Sequence, residues 1–514
     1  EMLRSLVGSE MCIRDRRNAR QMDYDDQMVY ALRILRQVPE ILHEFQARYH
    51  YFCVDEAQDT SRIQHAIVSL LAGAGGNLFL VGDEDQSIYG FRAACPDMLL
   101  HFEADHPGAK VLFLEQNYRS TPQIVEAADR FIRQNVSRRD KHMQPVRSGG
   151  AAIRQIPLNR RERQYTYLLE VARDLPENTA VLYRDHDSAL PLIDLLERNG
   201  VPYRAKQTDG TFFSSRIVRD ITDIIRFAQS PWDGALFRRI YYKFCAGIPK
   251  AVAERAAAHN PTAEPLLLAV ADDDVSPYTR RQCRMLQTHL QNLRTEKANR
   301  AVYRIVAFMG YGDYLDQCGA DKSRAEILEA LGAQEPDPLR LLERLDELQA
   351  LLRQPKPEQR GLILSTVHSS KGLEYDRVFL LDVIDGVFPK EGEDVDRDEE
   401  RRLFYVAMTR ARNELAVFTF PPEKTSSAFS QFLFRPKRRI PRKSKKKTAA
   451  DSFLPGTPVQ HSAYGAGRIL AREGDRVRIR FSSGSERVFS LAAAVPNGLL
   501  SLRQESGGNA AKAD

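Results

Sequence analysis

YFCVDEAQDT, residues 51–60, joins a short apolar run to a cluster of carboxylates, and the fold is read from that join. Tyr51, Phe52, Cys53 and Val54 are too few for a buried helix and suit a strand covered on both faces. The same join recurs along the chain. LFLV (78–81) runs into GDEDQ, VLFL (111–114) into EQNYRS, AVLY (180–183) into Arg184, LIL (362–364) into STVHSSKG, and VFLL (378–381) into Asp382. Helical stretches fill the gaps. Thr121-Pro122 reads as an N-cap followed by proline in the first turn, and Ile124, Val125, Ala128, Phe131 and Ile132 repeat at helical spacing, as for a helix facing a sheet. Strands and helices in alternation predict a parallel α/β sheet, whose ligands bind at the carboxyl ends of the strands, where these polar clusters fall.

The texture changes twice. From 218 to 355 the strand signals fade and helical ones take over (221–227, the alanine-rich 251–258, 339–352), until Pro355 and Pro357 close the segment before Leu362. This predicts a helical domain inserted into the second α/β domain. Residues 436–447, PKRRIPRKSKKK, then carry eight basic residues and no acid, against a net charge of +6 for all 514 residues. Such a run suits a solvated linker or a phosphate-binding tether equally well. Beyond it Val477, Ile479 and Phe481 alternate with Arg476, Arg478 and Arg480 after a Glu473-Gly474-Asp475 turn, the pattern of a small β module at 452–503. Residues 504–514 are expected to be disordered. The six cysteines form no C-x-x-C pair, as expected of reduced cytoplasmic thiols, and no apolar stretch reaches ~20 residues, which argues against a membrane span.

The strand ends carry chemistry. Asp55 suits Mg²⁺ and Glu56 suits the activation of a water, although two acids also favour a helix N-terminus. In GDEDQSIYGFRAA (82–94), Gln86 is an amide for a γ-phosphate or the attacking water, and Tyr89, Phe91 and Arg92 offer flat faces to unpaired bases, or alternatively to a core. In QNYRS (116–120), Tyr118 suits an adenine and Arg119 a phosphate. EERRLFYVAMTRAR (399–412) reads as a helix with Leu403, Ala407 and Met408 inward and Arg410 at its far end; Arg119 and Arg410 together suit the charge of a transferring phosphoryl group. In STVHSSKGLEYD (365–376), Thr366, His368 and Ser370 suit a DNA backbone and Glu374 a ribose hydroxyl. A lone His368 would more often be structural, so its reading rests on the cluster.

In order and character these stretches resemble motifs II to VI of the UvrD/Rep/PcrA-type superfamily 1 DNA helicases, from about residue 20 to 420. The resemblance implies two RecA-like P-loop NTPase-type domains with ATP and Mg²⁺ between them, 3′→5′ movement on single-stranded DNA, contact with partly duplex DNA, and work in repair or replication. It places the remaining part of the first RecA-like domain at 17–145, the second at 146–217 and 356–435, the insertion at 218–355, the basic linker at 436–451, and a Tudor- or SH3-like barrel at 452–503, of a kind used to contact RNA polymerase. Phe91 stands where the family often has tryptophan, and Ala407-Met408 departs from its commonest small-residue pair.

No Gly-Lys dipeptide occurs in the sequence, so the G-x-x-x-x-G-K-[ST] phosphate loop is not among these residues. LRSLVGSEMCIRDR (3–16) resembles a string found at the ends of unrelated proteins, so 1–16 is expected to be a non-native leader. The first sheet is then expected to be incomplete, with exposed apolar edges, and the chain alone to lack ATPase. Two other readings stand beside the helicase: a non-hydrolysing protein that binds DNA or RNA polymerase, which has no need of the catalytic set, and the motor half of a helicase-nuclease, for which no acidic cluster appears after 452.

Overall fold

A computed structural model describes residues 18–73, 75–175, 178–205, 210–258, 263–354, 360–392, 395–420, 428–433, 453–495 and 497–503. The leader 1–16, the basic run 436–447 and the tail 504–514 lie outside the described residues. The chain separates into two units, 1–434 and 435–514.

In the first unit, α1 (Tyr24–Gln37) starts on a capping box between Asp23 and Asp26, and α2 (Pro39–Arg48) follows with proline in its first turn. β1 (Tyr51–Val54), α3 (Arg62–Ala72) and β2 (Asn77–Leu80) come next; Ser61 and Gln64 form a second capping box that starts α3 right after the acidic turn. β1 and β2 pair in parallel, Tyr51 opposite Asn77 and Val54 opposite Leu80, and make a sheet of only two strands. VLFL (111–114), expected as a third strand, is not one: Leu112 is 82% and Leu114 94% exposed. Pairing resumes only at β3 (Gln116–Asn117), parallel to β4 (Gln144–Pro145).

α4 (Pro122–Ile132) lies between those two short strands and begins at Thr121 with Pro122 in its first turn. Ile124, Val125, Ala128, Phe131 and Ile132 are all buried, as the spacing requires. Their partners are Ala180, Leu182, Phe404 and Val417, so the helix is committed to the second sheet and not to β1–β2. That sheet has six strands: β5 (Arg154–Pro157), β6 (Thr179–Tyr183), β7 (Tyr203–Ala205), β8 (Leu362–Thr366), β9 (Tyr375–Leu380) and β10 (Ala411–Thr419). All pair in parallel, in the order β5-β10-β9-β6-β8-β7. β6 is buried along its whole length, which is why AVLY shows no alternation.

Between β7 and β8 the described residues of 210–354 form helices and their connections, with no strand. The longest of these helices are α5 (Arg216–Gln229), α6 (Pro277–Leu293), α7 (Ala298–Phe308), α8 (Ser323–Gly332) and α9 (Pro338–Arg353). Their apolar faces merge with one face of the sheet into a single core running from Ile156 to Phe420. α10 (Arg397–Thr409) covers the other face, burying Leu403, Ala407 and Met408 as expected.

The second unit is one antiparallel sheet of β11 (Pro458–His461), β12 (Gly465–Glu473), β13 (Arg476–Phe481), β14 (Glu486–Ser490) and β15 (Leu500–Leu502), in the order β14-β13-β12-β11-β15. Val477, Ile479 and Phe481 point into its core and the intervening arginines point out. Among the described residues no helix is long and apolar enough to cross a membrane, and the five described cysteines are free thiols.

Candidate functional site

β1 ends in Asp55 and Glu56. Glu56 has left-handed backbone (φ 51°, ψ 41°), a strained state for a residue with a side chain and one that gathers at functional turns. Asp55 Oδ1 accepts the Glu56 N–H at 2.9 Å. The buried Gln58 holds the rest of the turn: its amide donates to Glu56 Oε2 at 2.5 Å and its Oε1 accepts the Asp83 N–H at 2.9 Å. One glutamine therefore ties the end of β1 to the end of β2. Gly82 permits this, since a Cβ there would lie 2.6 Å from Gln58 Oε1.

After β2 the Gln86 amide donates to Asp83 Oδ2 at 2.7 Å. Lys141 sits 2.5 Å from Asp83, 2.8 Å from Glu84 and 3.4 Å from Asp85, and Arg138 lies 2.9 Å from Asp85. Burial pulls the Lys141 ammonium down, but the three carboxylates outweigh it and raise its pKa. These clamps were not legible in the sequence, because Arg138 and Lys141 stand in an ordinary polar stretch more than fifty residues away.

Beside the six-stranded sheet, Arg410 caps the C-terminal end of α10 and is almost fully buried. Its guanidinium donates to the Val406 carbonyl (3.0 Å), the Leu373 carbonyl (3.2 Å) and the Thr409 hydroxyl (3.1 Å), and no carboxylate is bonded to it among the described residues. Burial and then the nearby Arg119 push it down to about 10, while Glu56 pulls the other way. Arg119, Arg410 and Glu56, far apart in sequence, are thus electrostatic neighbours. Arg119 itself is paired with Glu374 at 2.7 Å, so two groups expected on one nucleotide here neutralise each other. Tyr118 is 67% exposed beside them.

Lys371, after β8, reaches the ends of β1 and β2. Its ammonium donates to Asp59 Oδ2 at 2.5 Å and to the Gln86 carbonyl at 2.7 Å, and lies 3.8 Å from Glu56 Oε2. Lys371 stands inside the STVHSSKG stretch, yet only geometry gives it a role. Nearby, the Tyr89 hydroxyl donates to the His368 carbonyl at 3.2 Å, the Gly90 N–H to Glu399 at 3.1 Å, and Arg402 to the Ser87 carbonyl at 2.8 Å.

The flat side chains meet at this seam. Phe91, 68% exposed, lies edge-on to His368 at 5.6 Å and to Tyr89 at 5.9 Å, and the Arg92 guanidinium covers both Tyr89 and Phe91. Burial, then Arg184, hold His368 down to about 4, so the ring is neutral near pH 7. Thr366 and Ser370 depart from expectation. Both are buried; Thr366 accepts the Ser369 N–H at 3.1 Å as an N-cap, and the Ser370 hydroxyl donates to the Val367 carbonyl at 2.7 Å. Their hydroxyls are spent on shaping a single helical turn, Val367–Ser370, whose His368 is half-buried against Tyr89 and Phe91.

A sheet end with paired acids, opposed arginines and an aromatic shelf agrees with the sequence comparisons. Residues 10–107 match the UvrD/REP helicase N-terminal domain, and 112–292 with 279–420 match the UvrD-like helicase C-terminal domain. The chain belongs to the UvrD-like helicase family. The C-terminal model begins at 112, ahead of α4, in keeping with that helix packing on the second sheet. The chain is 29% identical over 437 residues to the putative ATP-dependent DNA helicase YjcD of Bacillus subtilis, covering 78% of this chain and 56% of the relative. It is also 29% identical over 508 residues to the ATP-dependent DNA helicase PcrA of Staphylococcus epidermidis (87% of this chain, 70% of the relative) and over 451 residues to PcrA of Staphylococcus aureus (82% and 60%). Measured against these UvrD-like relatives, the chain spans between 56% and 70% of their length.

Proposed function

We propose that this chain supplies the hydrolytic carboxylates, the phosphate-facing arginines and the DNA shelf of an ATP-driven motor that moves 3′→5′ on single-stranded DNA and separates duplexes. The observation that carries the reading is Arg410: a buried guanidinium with no bonded carboxylate among the described residues, beside a second arginine and the Glu56 acid. A buried cation left this way is costly unless an anion arrives, and a γ-phosphate is such an anion. Arg119 would leave Glu374 to join it, freeing Glu374 for a ribose hydroxyl and leaving Tyr118 against the adenine. Glu56, aimed by Gln58, would take the proton of the attacking water, and Gln86, on leaving Asp83, would orient that water.

Mg²⁺ is usually held through one or two carboxylates, waters and the phosphates themselves, so Asp55 alone at the strand end fits it. When bound, the ion would neutralise charge on the phosphates. The G-x-x-x-x-G-K-[ST] cradle has no counterpart in these 514 residues, so the fit covers one side of the nucleotide.

Phe91, Tyr89, Arg92 and His368 would stack on unpaired bases, at roughly 1–3 kcal/mol each. They share the seam with Lys371, and that shared seam is how hydrolysis would be coupled to stepping, in repair or replication within a bacterial cytoplasm. The C-terminal sheet, whose strands lie in the order fifth-first-second-third-fourth, is read as a Tudor- or SH3-like barrel that docks on RNA polymerase; co-purification lost on its deletion would test that. The motor reading is tested on the product of the complete gene. DNA-stimulated ATP hydrolysis should fall at least about 100-fold in Glu56→Gln and in Arg410→Ala with single-strand affinity kept. Hydrolysis indifferent to both, or absent from the parent, would favour the non-hydrolysing alternative.

A further inference from the structure

Gln86 is held from three directions. Its backbone N–H donates to the Asp83 carbonyl at 2.8 Å, its carbonyl accepts from Lys371 at 2.7 Å, and its side-chain amide donates to Asp83 Oδ2 at 2.7 Å. The main chain is therefore pinned. The side chain can turn to a water or a phosphate by giving up one partner, the Asp83 carboxylate, so the place of that carboxylate decides where the amide waits.

Asp83 is itself placed by a residue far along the chain. Its Oδ1 accepts the Asp85 N–H at 3.1 Å, which caps the short turn Glu84–Gln86, and the Lys141 ammonium at 2.5 Å. Lys141 lies in the irregular strap between α4 and β4. One carboxylate thus offers an oxygen to a cation and its other oxygen to the Gln86 amide. Burial pushes the Asp83 carboxyl up, and Lys141 more than offsets it, so the group is ionised at neutral pH and remains a full acceptor. The strap has other anchors. Arg138 is bidentate to Asp85 at 3.1 and 2.9 Å, and the Arg139 N–H donates to Glu84 at 2.8 Å while its guanidinium reaches Glu103 at 2.9 Å. Glu84 and Asp85 keep these partners without Lys141, whereas Asp83 bonds no other cation among the described residues. The distinctive work of the ammonium is therefore on Asp83.

We propose that Lys141 is a positioning residue for ATP hydrolysis: through Asp83 it fixes the place from which the Gln86 amide turns to the attacking water or the γ-phosphate. The proposal rests on the motor reading, which gives Gln86 its task. Without the ammonium, a half-buried Asp83 would lose its cation and would turn toward solvent or take up a proton, since a carboxylate away from water needs a partner. The amide would then lose its fixed starting point. Two consequences separate this role from a merely structural one. A group needed only in the transition state lowers kcat and leaves substrate binding alone. A residue that acts through Gln86 also loses its effect once the Gln86 side chain is gone.

The test measures DNA-stimulated ATP hydrolysis by the product of the complete gene. Lys141→Met should lower kcat at least about 10-fold, with KM for ATP and affinity for a short single strand within about 2-fold of the parent. Lys141→Arg keeps the charge and should bring kcat back to within about 3-fold. Asp83→Asn is close in shape and leaves Lys141 bonded to Glu84; it should behave as Lys141→Met does, and it carries the test if that variant unfolds. The double variants decide. Lys141→Met or Asp83→Asn added to Gln86→Ala should leave kcat within about 2-fold of Gln86→Ala alone. Losses that multiply overturn the proposal, and so does a parent kcat in Lys141→Met and Asp83→Asn, or a rise in KM that matches the fall in kcat. Hydrolysis unchanged in both Gln86→Ala and Glu56→Gln would strike the motor reading and this proposal with it. A fall in those two single variants, with multiplying losses in the doubles, would strike the role of Lys141 alone.

Discussion

Arg410 spends its donors on two carbonyls and a hydroxyl and, among the described residues, bonds no acid. Its pKa, held down to about 10, means that folding disfavours its charged form, a burden fully present at pH 7 and relieved only as pH rises above about 10 toward its ordinary value. Arg410→Met should therefore cost less than about 1 kcal/mol in urea unfolding of this chain, or stabilise it, since a flexible apolar side chain replaces an unpaired buried cation; a loss above about 3 kcal/mol would identify Arg410 as structural. His368 shows the same sign. Held down to about 4, with Arg184, Lys390 and Asp185 around it, it favours the fold fully above its unfolded pKa near 6.5, and that stability is lost as pH falls through 4. The parent should lose on the order of 1–3 kcal/mol more than His368→Gln between pH 7 and pH 4, and parallel unfolding midpoints would refute it. Sequence could single out Glu56 and Arg410, because paired acids after an apolar run and an arginine closing a helix are visible locally. It could not show that Thr366 and Ser370 are buried with their hydroxyls bonded within a helical turn, because a short hydroxyl suits a DNA phosphate and such a turn equally well.

At the scale of elements, VLFL (111–114) failed as a strand for want of a neighbour. A strand exists through its ladder, and among the described residues the first sheet contains β1 and β2 alone, whose residues alternate between half-buried and exposed. Another short apolar run, AVLY at 180–183, became part of the fully buried β6, with β8 and β9 paired on either side of it. Leu112→Lys with Leu114→Lys should accordingly raise the soluble yield of this chain and move its thermal midpoint by no more than a degree or two; a clear drop would mean that the run is packed in solution. α4 is the opposite case. Its helical period was plain in the sequence, but the sheet it would face was not, since periodicity names a buried stripe without naming the partner. Phe131 packs at 5.2 Å from Phe404 and 5.1 Å from Phe429 in the second core, so Phe131→Ala should cost about 3–5 kcal/mol, measured by urea unfolding.

Over the whole molecule, the sequence showed a change to helical texture between 218 and 355, and the structure has helices without strands in the described residues of 210–354, but their union with the sheet was not readable. Apolar positions from α5 to α9 share one core with β5 to β10, and charged pairs cross the boundary: Arg344 to Asp194 at 2.6 Å, Arg324 to Asp187 at 2.7 Å, and Arg161, which is bidentate to Asp382 and also reaches Glu326 on α8 at 2.7 Å. Sequence cannot pair such charges, because nothing local marks Arg161 as the partner of a carboxylate 221 residues away. Arg161 and Asp382 are both buried, so removing one strands the other at a cost of about 3–5 kcal/mol, whereas removing both costs much less. The single tryptophan, Trp232, lies in the insertion and reports on it alone, while far-ultraviolet dichroism reports on the whole chain. If sheet and insertion are one cooperative body, Arg161→Met should lower the tryptophan midpoint and the main dichroism midpoint together, and Asp382→Asn added to it should recover most of the loss. A tryptophan transition that stays in place while the dichroism shifts would show that the insertion unfolds by itself, and that the shared core does not bind the two into one cooperative unit.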